Sequence, residues 1–350
     1  MLKHSKKQKN NTKRNPKQIQ SKICKEEKVL KTSAKVLGEA LALNMLGGGG
    51  AVFANTLANT PQIPLVTLNN GIKMPLLGFG TFQIELKDTQ QCVEQALAMG
   101  YRHIDTASAY NNEKEVGAAM RSSGIKREEI FITTKLWVSD MSEDGAKRAF
   151  EKSLENLGLD YLDAYLLHMP YGDVYGAWRS LGRFYNEGRI KALGVSNFMP
   201  DRITDFCLHN AIKPSINQIE LHPFYQKHHT QKVNADLGVQ VASWASFAEG
   251  QNGIFDNEIL KSIGEKYDKT PAQVVLRWLT QRGIPVIPKT MRKERMRENL
   301  NIFDCSLDSD DMAKIATLEQ NTSYFFMPNN AQHTEWIIKG KKIINGRAVD

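Results

Sequence analysis

From Leu65 onward, short apolar runs alternate with polar loops and amphipathic stretches. Val66-Thr67-Leu68 and Ile72-Lys73-Met74 alternate around Asn69-Asn70-Gly71, and an Asn-Gly step between alternating runs signals a β-hairpin. The pattern then repeats, each unit an apolar run of strand length, a polar loop and a stretch with helical period. The predicted strands are Leu76–Gly78, Arg102–Ile104, Ile130–Thr134, Ala164–Leu167, Ala192–Val195, Ile216–Ile219, Val239–Ser243 and Val286–Ile287. Helices fill the gaps: Thr89–Met99 capped by Asp88 and stopped at Gly100, then Glu113–Arg121, Glu143–Leu157, Val174–Asn186, Asp201–His209 and Gln231–Leu237. Asn257–Tyr267, Pro271–Gln281, Arg292–Asn299 and Asp308–Leu318 complete them.

Alternating strands and helices from Leu65 to about Asn321 match the ~250 residues of a (β/α)8 TIM barrel, here with an N-terminal β-hairpin and a C-terminal loop/helix extension. A doubly wound sheet is the competing architecture. It would carry a glycine-rich dinucleotide loop after its first strand, and Gly78-Phe79-Gly80-Thr81-Phe82 lacks the third glycine and opens no helix. The expected division is a basic leader or linker over 1–63, the barrel over 64–330 and a tail over 331–350.

A barrel carries its functional side chains at the C-terminal ends of its strands. Reading those positions in order gives Gly80-Thr81, then Asp105 and Tyr110, then Lys135-Leu136-Trp137, then His168. The second half of the ring gives Ser196-Asn197, Gln218 and Glu220, Trp244, and Lys289-Thr290. A carboxylate, a phenol and a lysine on adjacent strand ends suit acid/base chemistry. A free tyrosine is a poor acid near neutral pH, and a neighbouring ammonium is expected to lower its pKa. No group of His, Cys, Asp and Glu has metal-ligand spacing, so no metal is expected. His103, His209 and His222 read as structural.

This order of motifs resembles the aldo-keto reductase family, over about Val66 to Leu318, and is similar to its bacterial diketogluconate and methylglyoxal reductases. The resemblance implies a catalytic tetrad of Asp105, Tyr110, Lys135 and His168, with Tyr110 as proton donor in the NADPH-dependent reduction of aldehydes and ketones to alcohols. Asp105 would orient Lys135, and His168 would polarise the carbonyl oxygen. It further implies that Ser196, Asn197 and Gln218 bind the nicotinamide carboxamide, with Thr81 and Asp105 also at the cofactor, and that Trp244 stacks on the ring. Trp244 replaces a commoner tyrosine, and Ser243-Trp244-Ala245-Ser246-Phe247-Ala248 departs from the family's usual Ser-Pro-Leu-Gly run.

The stretch from Ile287 to Asn299 places a lysine, a hydroxyl and several arginines at a helix start, an anion site in its own right. By resemblance, Lys289, Thr290 and Arg295 hold the 2′-phosphate of NADPH, while Glu298 and Asn299 meet the adenine. Phe82 and Trp137 would wall a substrate slot above Tyr110 and His168, completed near Tyr171 and by Tyr324-Phe325-Phe326-Met327. Such a slot suits small aldehydes, ketones, glyoxals or a sugar-derived ketone.

Charge changes the picture little. The formal net charge of +8 comes from residues 1–36, which hold twelve Lys/Arg and two Asp/Glu; the remainder is net −2. A near-neutral body argues against a nucleic-acid groove. The basic arm keeps a second function in view: a nucleotide-binding, redox-sensing regulatory subunit of the same fold that docks on an acidic partner. Cys24, Cys92, Cys207 and Cys305 form no paired motif and read as free thiols. No apolar run is long enough to span a bilayer. Val52 and Ala54 resemble a signal-peptidase site, but the basic stretch before them is too long and the apolar core too weak. The expected state is a cytoplasmic monomer or weak homodimer, with an exported form as the alternative.

Overall fold

The computed structural model describes residues 62–340 and, as backbone alone, 342–344 and 347–349. The leader expected over 1–63 lies outside the described residues except for its last two. Two short antiparallel strands come first, β1 (Leu65–Thr67) and β2 (Lys73–Pro75), joined by the predicted Asn-Gly turn with Gly71 at φ 84°. Seven parallel strands follow in sequential order: β3 (Phe79–Gly80), β4 (His103–Asp105), β5 (Phe131–Leu136), β6 (Leu162–Leu167), β7 (Ile190–Ser196), β8 (Ile216–Glu220) and β9 (Gln240–Trp244). This is a barrel of the predicted kind.

The eighth strand is where prediction and structure differ. Val286 makes single parallel bridges to Leu77 on one side and Ser243 on the other. Its N–H donates to Leu76 at 2.9 Å, and its carbonyl accepts from Gly78 at 2.8 Å. Pro285 and Pro288 flank it and lack N–H donors, so the ladder cannot extend into a strand. The first barrel strand is correspondingly displaced from Leu76–Gly78 to Phe79–Gly80. Where the seam closes, a Cβ on Gly80 would stand 2.6 Å from the Ile287 carbonyl oxygen. Gly80→Ala is expected to cost about 1–3 kcal/mol, read as a lower urea midpoint at unchanged slope.

Helices cover the outside: α1 (Leu86–Ala98), α2 (Glu113–Ser122), α3 (Glu143–Leu157), α4 (Val174–Asn186), α5 (Pro200–His209), α6 (His228–Asp236), α7 (Glu258–Tyr267), α8 (Pro271–Thr280), α9 (Lys293–Leu300) and α10 (Ser309–Ala316). Local chemistry sets several boundaries. Ser142 caps α3 by accepting the Gly145 N–H at 3.0 Å, and Gly158 ends it at φ 67°. Thr270 and Gln273 form a capping box on α8, as Asp308 and Asp311 do on α10. Asp88 does not cap α1: the helix starts two residues earlier, with Glu85 at its N-cap and Asp88 in the first turn. Beyond the barrel come α11 (Ala331–Ile338) and a hairpin of β10 (Lys342–Ile344) and β11 (Arg347–Val349). Among the described residues no helix is long and apolar enough to cross a membrane.

The barrel is plugged at one end and open at the other. Leu68 and Met74 of the hairpin pack with Phe131, Ala164, Leu166, Ala192, Ile216 and Ala242 from the strands. Small residues are needed there: a Cβ on Gly194 would meet Leu166 Cδ2 at 2.5 Å. With the N-terminal end filled by apolar contacts, the C-terminal strand ends are left to form a cleft.

Candidate active site

A cleft of about 1440 Å³ lies across those strand ends. Its floor begins with a buried ion pair. Lys135, next to last in β5 and fully buried, contacts Asp105 Oδ1 through its Nζ, and also donates to the Thr106 carbonyl at 2.8 Å. Asp105 is the last residue of β4, and its Oδ2 accepts from Gln218 Nε2 at 2.8 Å. The carboxylate thus has a partner on each oxygen, as a buried charge requires. Burial pulls the Lys135 ammonium below its ordinary pKa, and the Asp105 charge opposes that pull.

Tyr110 stands over this pair. It ends a single 3₁₀ turn (Ser108–Tyr110), pinned to β5 by Ser108 Oγ donating to the Lys135 carbonyl at 2.9 Å. Lys135 Nζ lies 5.3 Å from its ring centroid. His168, following β6, presents its ring edge-on at 5.7 Å, and Trp137 approaches that imidazole at 4.9 Å. Burial, with the Lys135 charge, pushes His168 well below its usual range, so the imidazole is neutral. Its Nδ1 is buried with no hydrogen-bond partner.

Tyr110 departs from the sequence-based expectation. Burial raises its pKa well above the ordinary value, and the charges of Asp105 and Glu249 push the same way. The phenol is held protonated.

Farther along the cleft, Asn197 follows β7 in the left-handed region at φ 64°, with Nδ2 donating to the His168 carbonyl at 3.1 Å. Its Oδ1 accepts the Trp244 indole N–H at 2.9 Å, which orients that ring. Ser196 Oγ donates to the Gln218 carbonyl at 2.7 Å. At the outer end, Lys289 and Arg295 are exposed, Thr290 is buried, and Glu298 accepts from Thr270 Oγ1 at 2.5 Å. Asn299 is buried beside them.

Residues 76–320 match the model of the aldo/keto reductase family. The chain belongs to the aldo/keto reductase family. It is 43% identical over 258 residues to glyoxal reductase of Bacillus subtilis, covering 73% of this chain and 93% of the relative. It is 40% identical to a methylglyoxal reductase of Escherichia coli K12, covering 73% and 94%. An aldo-keto reductase enzyme from a Medee basin deep-sea metagenome library superposes with a TM-score of 0.74 at 39% identity, over 76% of this chain and 99% of that one. A Bombyx mori aldo-keto reductase solved in complex with NADP gives 0.72 at 32% identity, over 79% and 97%. This aldo/keto reductase is therefore an oxidoreductase of a carbonyl-reducing kind.

Within this family member, one cleft brings together nearly all the residues picked out by sequence. Phe82, Asp105, Tyr110, Trp137, His168, Ser196, Asn197, Gln218, Trp244, Lys289, Thr290, Arg295, Glu298 and Asn299 line it. Phe326 lines it too; Lys135, Thr81, Glu220, Tyr171, Tyr324, Phe325 and Met327 do not. Lys135 lies under the floor, and the Thr81 hydroxyl donates to the Asp105 carbonyl at 3.1 Å. His103 and His222 are buried away from the lining, and burial pushes His103 down to about 4. Sequence reading missed Gln83, Met169, Glu249, Thr270–Ala272 at the start of α8, and Ile337, all of which line the cleft. Glu249 lies in a turn where Ala245, Ala248, Glu249 and Asn252 all have positive φ near 50°. Nothing in their residue types signals that conformation, which glycine usually takes.

Proposed function

We propose that the protein reduces small aldehydes and ketones, glyoxal-type dicarbonyls foremost, with NADPH as the reductant. The observation that carries this reading is the buried Lys135–Asp105 pair beneath a protonated Tyr110, with neutral His168 alongside. The relatives named as glyoxal and methylglyoxal reductases support the substrate class, and the short aromatic slot between Phe82, Tyr110 and Trp137 suits it.

The donor set in the rest of the cleft fits the cofactor. Lys289, the Thr290 hydroxyl and Arg295 would hold its 2′-phosphate, with Glu298 and Asn299 at the adenine. Trp244 offers an aromatic face for the nicotinamide, and Ser196, Asn197 and Gln218 its carboxamide partners, with Asp105 beneath; Thr81, buried below the lining, serves only by donating to the Asp105 carbonyl. When bound, the cofactor supplies a hydride to the carbonyl carbon. Tyr110 gives its phenolic proton to the carbonyl oxygen as charge develops there, since an alkoxide is a far stronger base than a phenolate. Lys135, close under the ring, stabilises the phenolate that remains. His168, unable to carry charge in this setting, orients the oxygen through one N–H. The aromatic walls exclude water from the reacting atoms.

The test is direct. The parent protein is expected to oxidise NADPH in the presence of glyoxal and to bind NADPH more tightly than NADH in a titration. Tighter binding of NADH would reject the cofactor assignment. Arg295→Ala is expected to weaken NADPH binding about tenfold and to leave NADH within about twofold, because the guanidinium makes a charge-assisted contact to the extra phosphate alone.

A further inference from the structure

The irregular segment after α10 carries two aromatic rings onto Trp244, Phe325 at 5.3 Å and Phe326 at 5.7 Å, the latter nearly parallel at 12°. Phe326 also packs against the cluster of Met169, Tyr171 and Ile337, as Trp137 does, so it forms part of the apolar wall next to His168. Irregular chain costs about 1–2 kcal/mol per residue to order, so something must hold this stretch in place. A buried carboxylate does so. Glu220, the last residue of β8, is 1% exposed. Its Oε2 accepts the Ser323 hydroxyl at 2.6 Å, and its Oε1 accepts the Tyr324 backbone N–H at 3.2 Å. His222 Nε2 lies 3.1 Å from the same Oε1, and its ring stacks on Tyr324 at 5.4 Å and 15°. Ser323 Oγ reaches the Phe326 carbonyl at 3.1 Å. Glu220 and Trp244 are partners across β8 and β9. One strand position grips the segment, and its neighbour receives the rings.

We propose that Glu220 is a positioning residue for substrate size. By holding Ser323 and Tyr324 it seats Phe326 on Trp244, and so sets the apolar wall of the slot. This rests on the carbonyl-reductase reading above. Burying a carboxylate at the barrel mouth is costly unless its oxygens are satisfied, and here three groups satisfy them. The wall beyond Phe326 acts on the part of a substrate away from its carbonyl, so its loss separates substrates by size.

The experiment uses the full chain and two dicarbonyls with the same reacting group, glyoxal and phenylglyoxal, followed by NADPH oxidation. Ser323→Ala removes the segment's side of the contact from a half-buried position. It is expected to raise KM for phenylglyoxal about tenfold, with KM for glyoxal and both kcat values within about threefold. Glu220→Gln is expected to shift the same ratio in the same direction, and the double variant to be no worse than the worse single, since both remove one contact. Ser323→Thr, which keeps the hydroxyl, is expected to restore the ratio. Equal effects on both substrates, or an unmoved ratio in folded variants, overturn the positioning role. A parent that oxidises NADPH with neither substrate overturns the reductase reading, and this inference with it.

Discussion

Tyr110→Phe is expected to lose turnover by about 10²–10⁴-fold, the usual contribution of a positioned general acid, while binding NADPH as the parent does. The substitution removes one hydroxyl and keeps the ring that packs on Phe82 at 4.9 Å and faces His168 at 5.7 Å. The fold and the slot walls are therefore retained. The cofactor contacts assigned to Lys289, Thr290, Arg295 and Trp244 lie elsewhere along the cleft. Steady-state rates on glyoxal, paired with an NADPH titration, separate the two effects. Retained turnover would remove Tyr110 from the role of proton donor. Equal loss of cofactor binding would show that the hydroxyl serves the cofactor instead.

Lys135→Met is expected to cut both activity and stability. The methionine fills similar space but leaves Asp105 charged and buried with only Gln218 as a polar partner. Breaking a buried pair from one side costs about 3–5 kcal/mol, which thermal unfolding would register as a drop of several degrees or more. Turnover is expected to fall about 10²-fold or further, because the phenolate left on Tyr110 loses the cation beneath it. Adding Asp105→Asn to Lys135→Met tests this account. With no buried charge left, part of the stability is expected to return while turnover stays lost. If stability and activity recover together, the pair serves the fold rather than the chemistry.

Much of this site could be read along the chain, for a physical reason. In a parallel barrel, every strand's C-terminal end faces the same cleft. Knowing where β4, β5 and β6 end is then enough to bring Asp105, Lys135 and His168 together, although 63 residues separate the first from the last. The strand ends are local signals, apolar runs that stop at polar residues. Lys135 shows the margin of error: β5 runs two residues past its predicted end, so Lys135 lies within the strand and not after it, and its side chain is fully buried. The turn after β9 was not legible, since its alanines, asparagine and glutamate carry no mark of positive φ. Ile337 lies in α11, past the last barrel helix, and no strand-end rule reaches it.

The order of the first seven barrel strands and their helices, the Asn-Gly hairpin and the placing of Asp105 and His168 at strand ends were determined by the sequence alone, because periodicity and Gly/Pro punctuation act over a few residues. Closure of the barrel through Val286, between two prolines, was decided only in three dimensions, where backbone donors must find partners on both neighbours. So was the protonation of Tyr110, which depends on burial and on the charges of Asp105 and Glu249. The grip of Glu220 on Ser323 and Tyr324 joins residues more than a hundred positions apart, and only the folded chain brings them into hydrogen-bond range.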